Sequence, residues 1–130
     1  MARVLLDTTV LIDALRGRGA MIRLRQLRAK QEVPFVCAVN IEELCRGIRP
    51  GEEPSLASLL NGMVIAPLGR TEGERAGTWR RTFAARGITL SQADCLVAAA
   101  ALGIDARLAT GNPKDFPMPE IAIDHWPVGV

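Results

Sequence analysis

A chain of 130 residues that is 48% apolar and carries a formal net charge of only +2 can bury one sizeable core and is too short for two domains of ordinary size. That balance excludes a disordered, strongly charged chain and gives no bulk electrostatic signature of a nucleic-acid binder. No apolar run reaches the roughly 18 residues of a membrane helix, and the start Met1-Ala2-Arg3-Val4 lacks the parts of a secretory signal peptide. The expectation is a cytoplasmic protein with no membrane partner, forming one domain over residues 1–130.

The distribution of charge is more informative than its sum. Fourteen of the sixteen Lys and Arg residues are arginine, and Arg16, Arg18, Arg23, Arg25 and Arg28 crowd one segment. Guanidinium forks suit phosphate and carboxylate recognition, and a solvated helix face accounts for the same cluster equally well. Cys37, Cys45 and Cys95 are odd in number, far apart and set in apolar stretches, the pattern of free thiols packed as small hydrophobes in a reducing compartment.

In chain order, Val4-Leu5-Leu6 reads as a buried strand whose tip delivers Asp7 into a turn. Val10 to Leu15 continue as helix and end near Gly17-Arg18-Gly19. Met21, Leu24 and Leu27 keep a helical period up to about Gln31. Val33 to Ala38 is the second strand, with Pro34 tolerable at its start. Asn40 is placed as the N-cap of the next helix with Glu43 three residues on. That helix carries an apolar stripe of Ile41, Leu44, Cys45 and Ile48 and stops at Arg49-Pro50-Gly51. Pro54 to Leu60 is a short helix, and Met63 to Leu68 a short third strand, at an edge because of Pro67. Thr71 to Arg86 is the longest helix, with Ala76, Trp79, Phe83 and Ala84 on one face and Gly87 as its C-cap. Ser91 to Asp94 repeats the capping pattern before a helix through Leu102 that is apolar nearly all round, hence central. Arg107 to Thr110 is the fourth strand and Ile121 to Ile123 the fifth, with a turn-rich loop, Gly111 to Pro117, between them. Strands alternating with helices imply a three-layer α/β/α sandwich around a mainly parallel sheet of about five strands.

Four acids mark the ends of these elements: Asp7, Glu43, Asp94 and Asp115. In open parallel sheets the functional crevice lies outside the carboxyl ends of the strands. Asp7, Glu43 and Asp115, with Asn112 beside it, fall there, and Asp94 joins them if its helix starts at that end. Carboxylates so gathered repel one another, and a hard divalent ion, Mg²⁺ or Mn²⁺, resolves the repulsion with all-oxygen ligation. Such an ion can activate water for cleavage of a phosphodiester. Each acid also has a structural use. Asp7 can cap the first helix, Glu43 can complete a capping box with Asn40, Asp94 another with Ser91, and Asp115 can close an Asx turn. Zinc is disfavoured because no Cys or His joins the set, and a phosphatase because Asp7 has no acid two residues on and no glycine-rich phosphate loop follows.

The blocks Leu5 to Asp13, Glu43-Leu44-Cys45-Arg46-Gly47, Ser91 to Ala101 and Leu108 to Phe116 occur in an order that resembles the PIN-domain family, most closely the VapC toxins of bacterial toxin–antitoxin pairs. The resemblance spans nearly the whole chain. It implies Asp7, Glu43 and Asp94 as Mg²⁺-binding acids, with Asp115 preferred as the fourth and Asn112 beside it as a support or second-metal ligand. Thr8 and Thr110 are supports for a water or a carboxylate. Thr9 departs from the Asn or Ser common in that family, and the Glu-Leu-x-x-Gly register favours Glu43 over Glu42. The implied activity is a metal-dependent endoribonuclease acting as a toxin on RNA, held by a cognate antitoxin that covers the acidic cleft with an arginine. The antitoxin's apolar helix would use Leu11, Ile12, Leu15, Leu24 and Leu27. A homodimer is implied as well. Two other readings are a PIN nuclease in RNA processing outside a toxin pair and a PIN-like module that binds without cutting. His125 and Trp79 are read as structural, and with no Tyr and 4% aromatics, recognition by base stacking is not expected.

Overall fold

The computed structural model describes residues 2–129. Five strands, β1 (Arg3–Leu6), β2 (Val33–Val36), β3 (Val64–Ile65), β4 (Arg107–Thr110) and β5 (Ile123–His125), form one sheet in the order β3-β2-β1-β4-β5. Every neighbouring pair is parallel, so each connection must cross back over a face of the sheet. Helices α1 (Thr8–Leu15) and α2 (Gly19–Ala29) join β1 to β2. Helices α3 (Ala38–Gly47) and α4 (Glu53–Asn61) join β2 to β3, and α5 (Arg70–Ala84) and α6 (Gln92–Gly103) join β3 to β4. The first two crossovers step outward on one side of β1, and the third places β4 on the other side. That reversal makes the β1/β4 junction a topological switch point, where diverging loops open a crevice.

The sheet is covered on both faces, and the two-residue period of its strands decides which side chain goes where. Leu5 and Leu108 pack against Ala76, Trp79 and Phe83 of α5 and the buried run of α6. Val4, Leu6, Val36 and Ala109 pack on the opposite face with Val10, Leu11, Leu24 and Leu56. This is the expected three-layer sandwich, with a wholly parallel sheet. In α6, Cys95 and Val97 through Ala101 are all at most 1% exposed, which is why that helix lacks a polar face. Among the described residues no helix is long and apolar enough to cross a membrane.

Several local expectations shift. Strand β5 starts at Ile123, two residues later than the pattern indicates, because the Ile121 amide closes a turn onto Met118 C=O at 3.2 Å. Strand β3 keeps only two residues and lies at the sheet edge. Helix α5 is capped at Ala85. Gly87 instead supplies a left-handed residue (φ +78°) that lets the Ile88 amide return to Phe83 C=O at 2.9 Å. Cys37 and Cys95 are buried, but Cys45 is exposed. One residue past the inward-facing Leu44, it is turned away from the stripe that Ile41 and Ile48 share. Leu11, Leu24 and Leu27 are at most 3% exposed, so they serve the core more than any groove.

Candidate active site

Asp7 follows β1 directly and takes an extended backbone (φ −70°, ψ 158°) as the N-cap of α1, its Oδ1 accepting from the Thr8 amide at 2.8 Å. Capping occupies only that oxygen. Oδ2 accepts from the hydroxyls of Thr110 at 2.8 Å and Thr9 at 3.3 Å. Thr110 ends β4, so this bond spans the switch point. The Thr110 hydroxyl in turn accepts from the Asn112 amide at 3.0 Å, and the Thr9 hydroxyl from the Gly111 amide at 3.0 Å. The loop after β4 is thereby fastened to the tip of β1. Thr9 is a full participant in spite of its departure from the family pattern.

Glu43 does not cap its helix. Helix α3 begins two residues before Asn40, with Cys37 as the N-cap, because β2 ends at Val36 and the chain turns at once. Asn40 therefore stands at the third helical position, fully buried, and its Oδ1 accepts from the Cys37 amide at 3.0 Å. It fills the role that spacing alone offered to Glu43, and the Asn40 N-cap expectation is corrected accordingly. The Glu43 carboxylate accepts instead from the Thr8 hydroxyl at 2.7 Å. Its neighbour Glu42 is exposed and pairs with Arg46 at 3.1 Å.

Helix α6 leads into the amino end of β4, so its own start lies at the carboxyl end of the sheet. Ser91 caps it by accepting from the Asp94 amide at 3.0 Å. Asp94 and Asp115, the latter at the end of a 3-10 turn (Pro113–Asp115), line a cavity of about 320 Å³ together with Ser91 and Lys114. Asn112 precedes the turn and is exposed. His125 lies on β5, outside this group, and Trp79 is buried with its ring N–H donating to Glu120 at 3.0 Å.

Electrostatics tie the four acids together. Burial pushes the Asp7 carboxyl above its ordinary value, against hydrogen bonds from Thr110, Thr8 and Thr9, and the charge of Glu43 adds to the rise. Burial likewise raises the Asp94 carboxyl, opposed by a bond from Ser91 and reinforced by the charges of Asp115, Asp7 and Glu43. Asp94 thus feels all three of the other acids. No ion pair among the described residues includes any of the four. Nor, among those residues, is any group of three His, Cys, Asp or Glu drawn into a ready-made cage. Asp94 and Asp115 line one cavity and Glu43 a second beside Gln92 and Ala93, so the acids stand apart as mutually repelling charges do. An all-oxygen donor set with space between its members fits Mg²⁺ or Mn²⁺, since Mg²⁺ keeps several of its waters and needs no closed protein cage.

The spacing of acids in the sequence points to all four carboxylates, but not to Asn40 as part of their support. A polar residue on the inward side of an apolar helix stripe was the available signal.

Comparison with known proteins bears on the family and the fold. The PIN domain profile matches residues 4–119. Ribonuclease VapC19 of Mycobacterium tuberculosis is 33% identical over 119 residues, covering 88% of this chain and 92% of that relative. Ribonuclease VapC10 of the same organism is 33% identical over 116 residues, covering 88% and 86%. Among solved structures, a chain of VapBC2 from Rickettsia felis bound to a DNA fragment from their promoter gives a TM-score of 0.84 over 95% of this chain and 98% of that one, at 21% identity. A chain of DNA-bound VapBC from Salmonella typhimurium gives 0.81 over 97% and 99%, also at 21% identity. At that identity the likeness is one of fold. The profile match over most of the chain and the 33% identity to two curated relatives show that this chain belongs to the PIN-domain family, within its VapC group.

Proposed function

We propose that the chain is a Mg²⁺-dependent endoribonuclease, one nuclease domain over its length, and the toxin of a VapBC-type toxin–antitoxin pair. The observation that carries this reading is the set of four carboxylates sharing one electrostatic neighbourhood near the switch point, none of them in an ion pair among the described residues. The relatives' printed names, ribonucleases of the VapC group, support the same chemistry. Asp7, Glu43, Asp94 and Asp115 would hold the ion, with Asn112 at the rim. Bound Mg²⁺, or Mn²⁺ in its place, supplies an activated water and countercharge for the phosphate as it is attacked. The chain's own part is preorganisation. Thr110 and Thr9 fix both the position and the rotation of Asp7, Thr8 aims Glu43, and Ser91 seats the start of α6 so that Asp94 faces its fellow acids.

The substrate is RNA and the regulatory partner a cognate antitoxin, in line with solved neighbours described as VapBC. An apolar antitoxin segment would seat between the first two helices and α4, in a cleft of about 290 Å³ lined by Leu15, Met21, Leu24, Arg28 and Leu59. A homodimer would suit the family. The test is digestion of total RNA by purified protein with Mg²⁺, beside Asp7→Asn and Asp94→Asn. Discrete fragments that need Mg²⁺ and vanish in both folded variants are expected. Wild type and variants behaving alike would sink the nuclease reading and leave an RNA- or protein-binding module.

A further inference from the structure

We infer that Asn40 is a positioning residue that sets the direction of a buried hydrogen-bond relay ending on Glu43. Asn40 is 0% exposed. Its Oδ1 accepts from the Cys37 amide at 3.0 Å and from the Cys37 thiol at 3.2 Å. Its Nδ2 donates to the Thr8 hydroxyl oxygen at 3.1 Å, and Thr8 donates to Glu43 Oε1 at 2.7 Å.

The direction follows from one group that can only donate. A backbone N–H has no lone pair, so the Asn40 atom facing Cys37 N–H must be the carbonyl oxygen. The amide nitrogen then faces Thr8, and being a donor it obliges the Thr8 oxygen to accept. A hydroxyl has a single proton, and among the described residues the only other polar partner of Thr8 Oγ1 is Glu43. The Thr8 proton is therefore directed at Glu43 Oε1. The start of α3, where β2 turns into helix, thus fixes the aim of a carboxylate three hydrogen bonds away: Cys37 orients Asn40, Asn40 orients Thr8, and Thr8 orients Glu43. Partners that orient a metal-binding carboxylate typically matter 10- to 100-fold in metal affinity.

The inference rests on the proposed metal-binding role of Glu43, and the experiment separates the two. Mn²⁺ alone is the probe, its binding followed by calorimetry and by the loss of the free-ion electron paramagnetic resonance signal, below each variant's melting temperature. Asn40→Leu and Thr8→Val are each expected to weaken Mn²⁺ binding by about tenfold, and Thr8→Ser, which keeps the hydroxyl, to bind as wild type does. Because Asn40 acts through Thr8, the Asn40→Leu/Thr8→Val double variant should bind no worse than Thr8→Val alone. Asn40→Ala takes the place of Asn40→Leu should the latter not fold. Effects that multiply in the double variant, or a folded Asn40 variant that binds Mn²⁺ like wild type while Glu43→Gln does not, would overturn the relay alone. If Glu43→Gln itself binds like wild type, both the relay's purpose and the metal-binding role of Glu43 are overturned.

Discussion

Replacing Thr110 with valine tests how the cleft is held. Thr110 is completely buried, and its hydroxyl works in two directions, donating to Asp7 Oδ2 at 2.8 Å and accepting from the Asn112 amide at 3.0 Å. Valine keeps the shape and deletes both bonds. A hydrogen bond to a charged group is worth about 1.5–3 kcal/mol. The Asn112 backbone N–H bond is part-buried, and its loss adds to the effect without entering the figure. The expected loss is about 1.5–3 kcal/mol at neutral pH, from the charged-group range alone. Thr110→Ser keeps the hydroxyl and loses one buried methyl, about 1 kcal/mol. The two variants should also differ in their response to pH. The Thr110 bond lowers the Asp7 carboxyl, so its contribution exists where Asp7 is ionised and is lost as pH falls through the folded-state value, which burial places above the ordinary carboxylate value. Urea unfolding in chelator at several pH values measures this. A valine variant as stable as the serine variant at neutral pH, or a valine deficit that does not shrink on acidification, would refute the argument.

Two further outcomes follow from the same structure. The Asp7 carboxyl is raised overall by burial, and a group raised in the folded state contributes stability that is full below its unfolded value and lost as pH rises through its folded value. Asp7→Asn should therefore raise the melting temperature in chelator at neutral pH, with the gain fading as pH falls into the ordinary carboxylate range. A thermal scan at two pH values decides it, and an Asn variant less stable than wild type at neutral pH would contradict the sign. Ala100 is 0% exposed in a helix packed on all sides, so Ala100→Leu should destabilise by about 1–3 kcal/mol or more through overpacking. A urea midpoint equal to wild type would mean that α6 has room beside it.

The fold was readable where local signals agree. The apolar runs at Val4-Leu5-Leu6 and Arg107 to Thr110 have no competing helical reading, and the strand over Arg107–Thr110 lies as expected. The all-apolar run after Asp94 could only be a buried helix, and it is one. Reading failed where tertiary contacts choose between equal local options. Asn40 has the chemistry of an N-cap, but the strand before it ends early enough for Cys37 to take that place, which hands the reciprocal bond to Asn40 and releases Glu43. Likewise Ile121 and Ile123 are equally β-prone, and the turn onto Met118 decides which begins β5. Candidate site acids were legible because carboxylates at element ends are few. Of their supports, Thr8 and Thr110 were readable only through the family resemblance, since Thr9 and Thr110 reach Asp7 only when β1 and β4 lie side by side across a jump of about a hundred residues, and Asn40 was not readable as a support at all.

The buried polar residues separate holding the fold together from preparing a site. Asp7, Asp13, Asn40 and Thr110 are the buried polar side chains of the described residues. Asp13 shows what a structural carboxylate looks like here. Each of its oxygens accepts from a backbone amide, Ala20 at 3.0 Å and Gly129 at 3.0 Å, joining α1 to the start of α2 and to the segment after β5. Both amides are fixed donors, and the arrangement is complete. Asp7 and Thr110 instead share one hydroxyl bond and Asn40 reaches Glu43 through another, and the two carboxylates that these bonds end on repel each other. Burial and like charge both oppose ionisation of Asp7, so this part of the molecule works against its own stability, whereas Asp13 supports it. A chain selected for stability alone would replace the switch-point acids with neutral residues of the same shape. Asp7 is held by three hydrogen bonds and Glu43 by one, and among the described residues neither forms an ion pair, which is the arrangement that the proposed cation site at the carboxyl end of the sheet calls for.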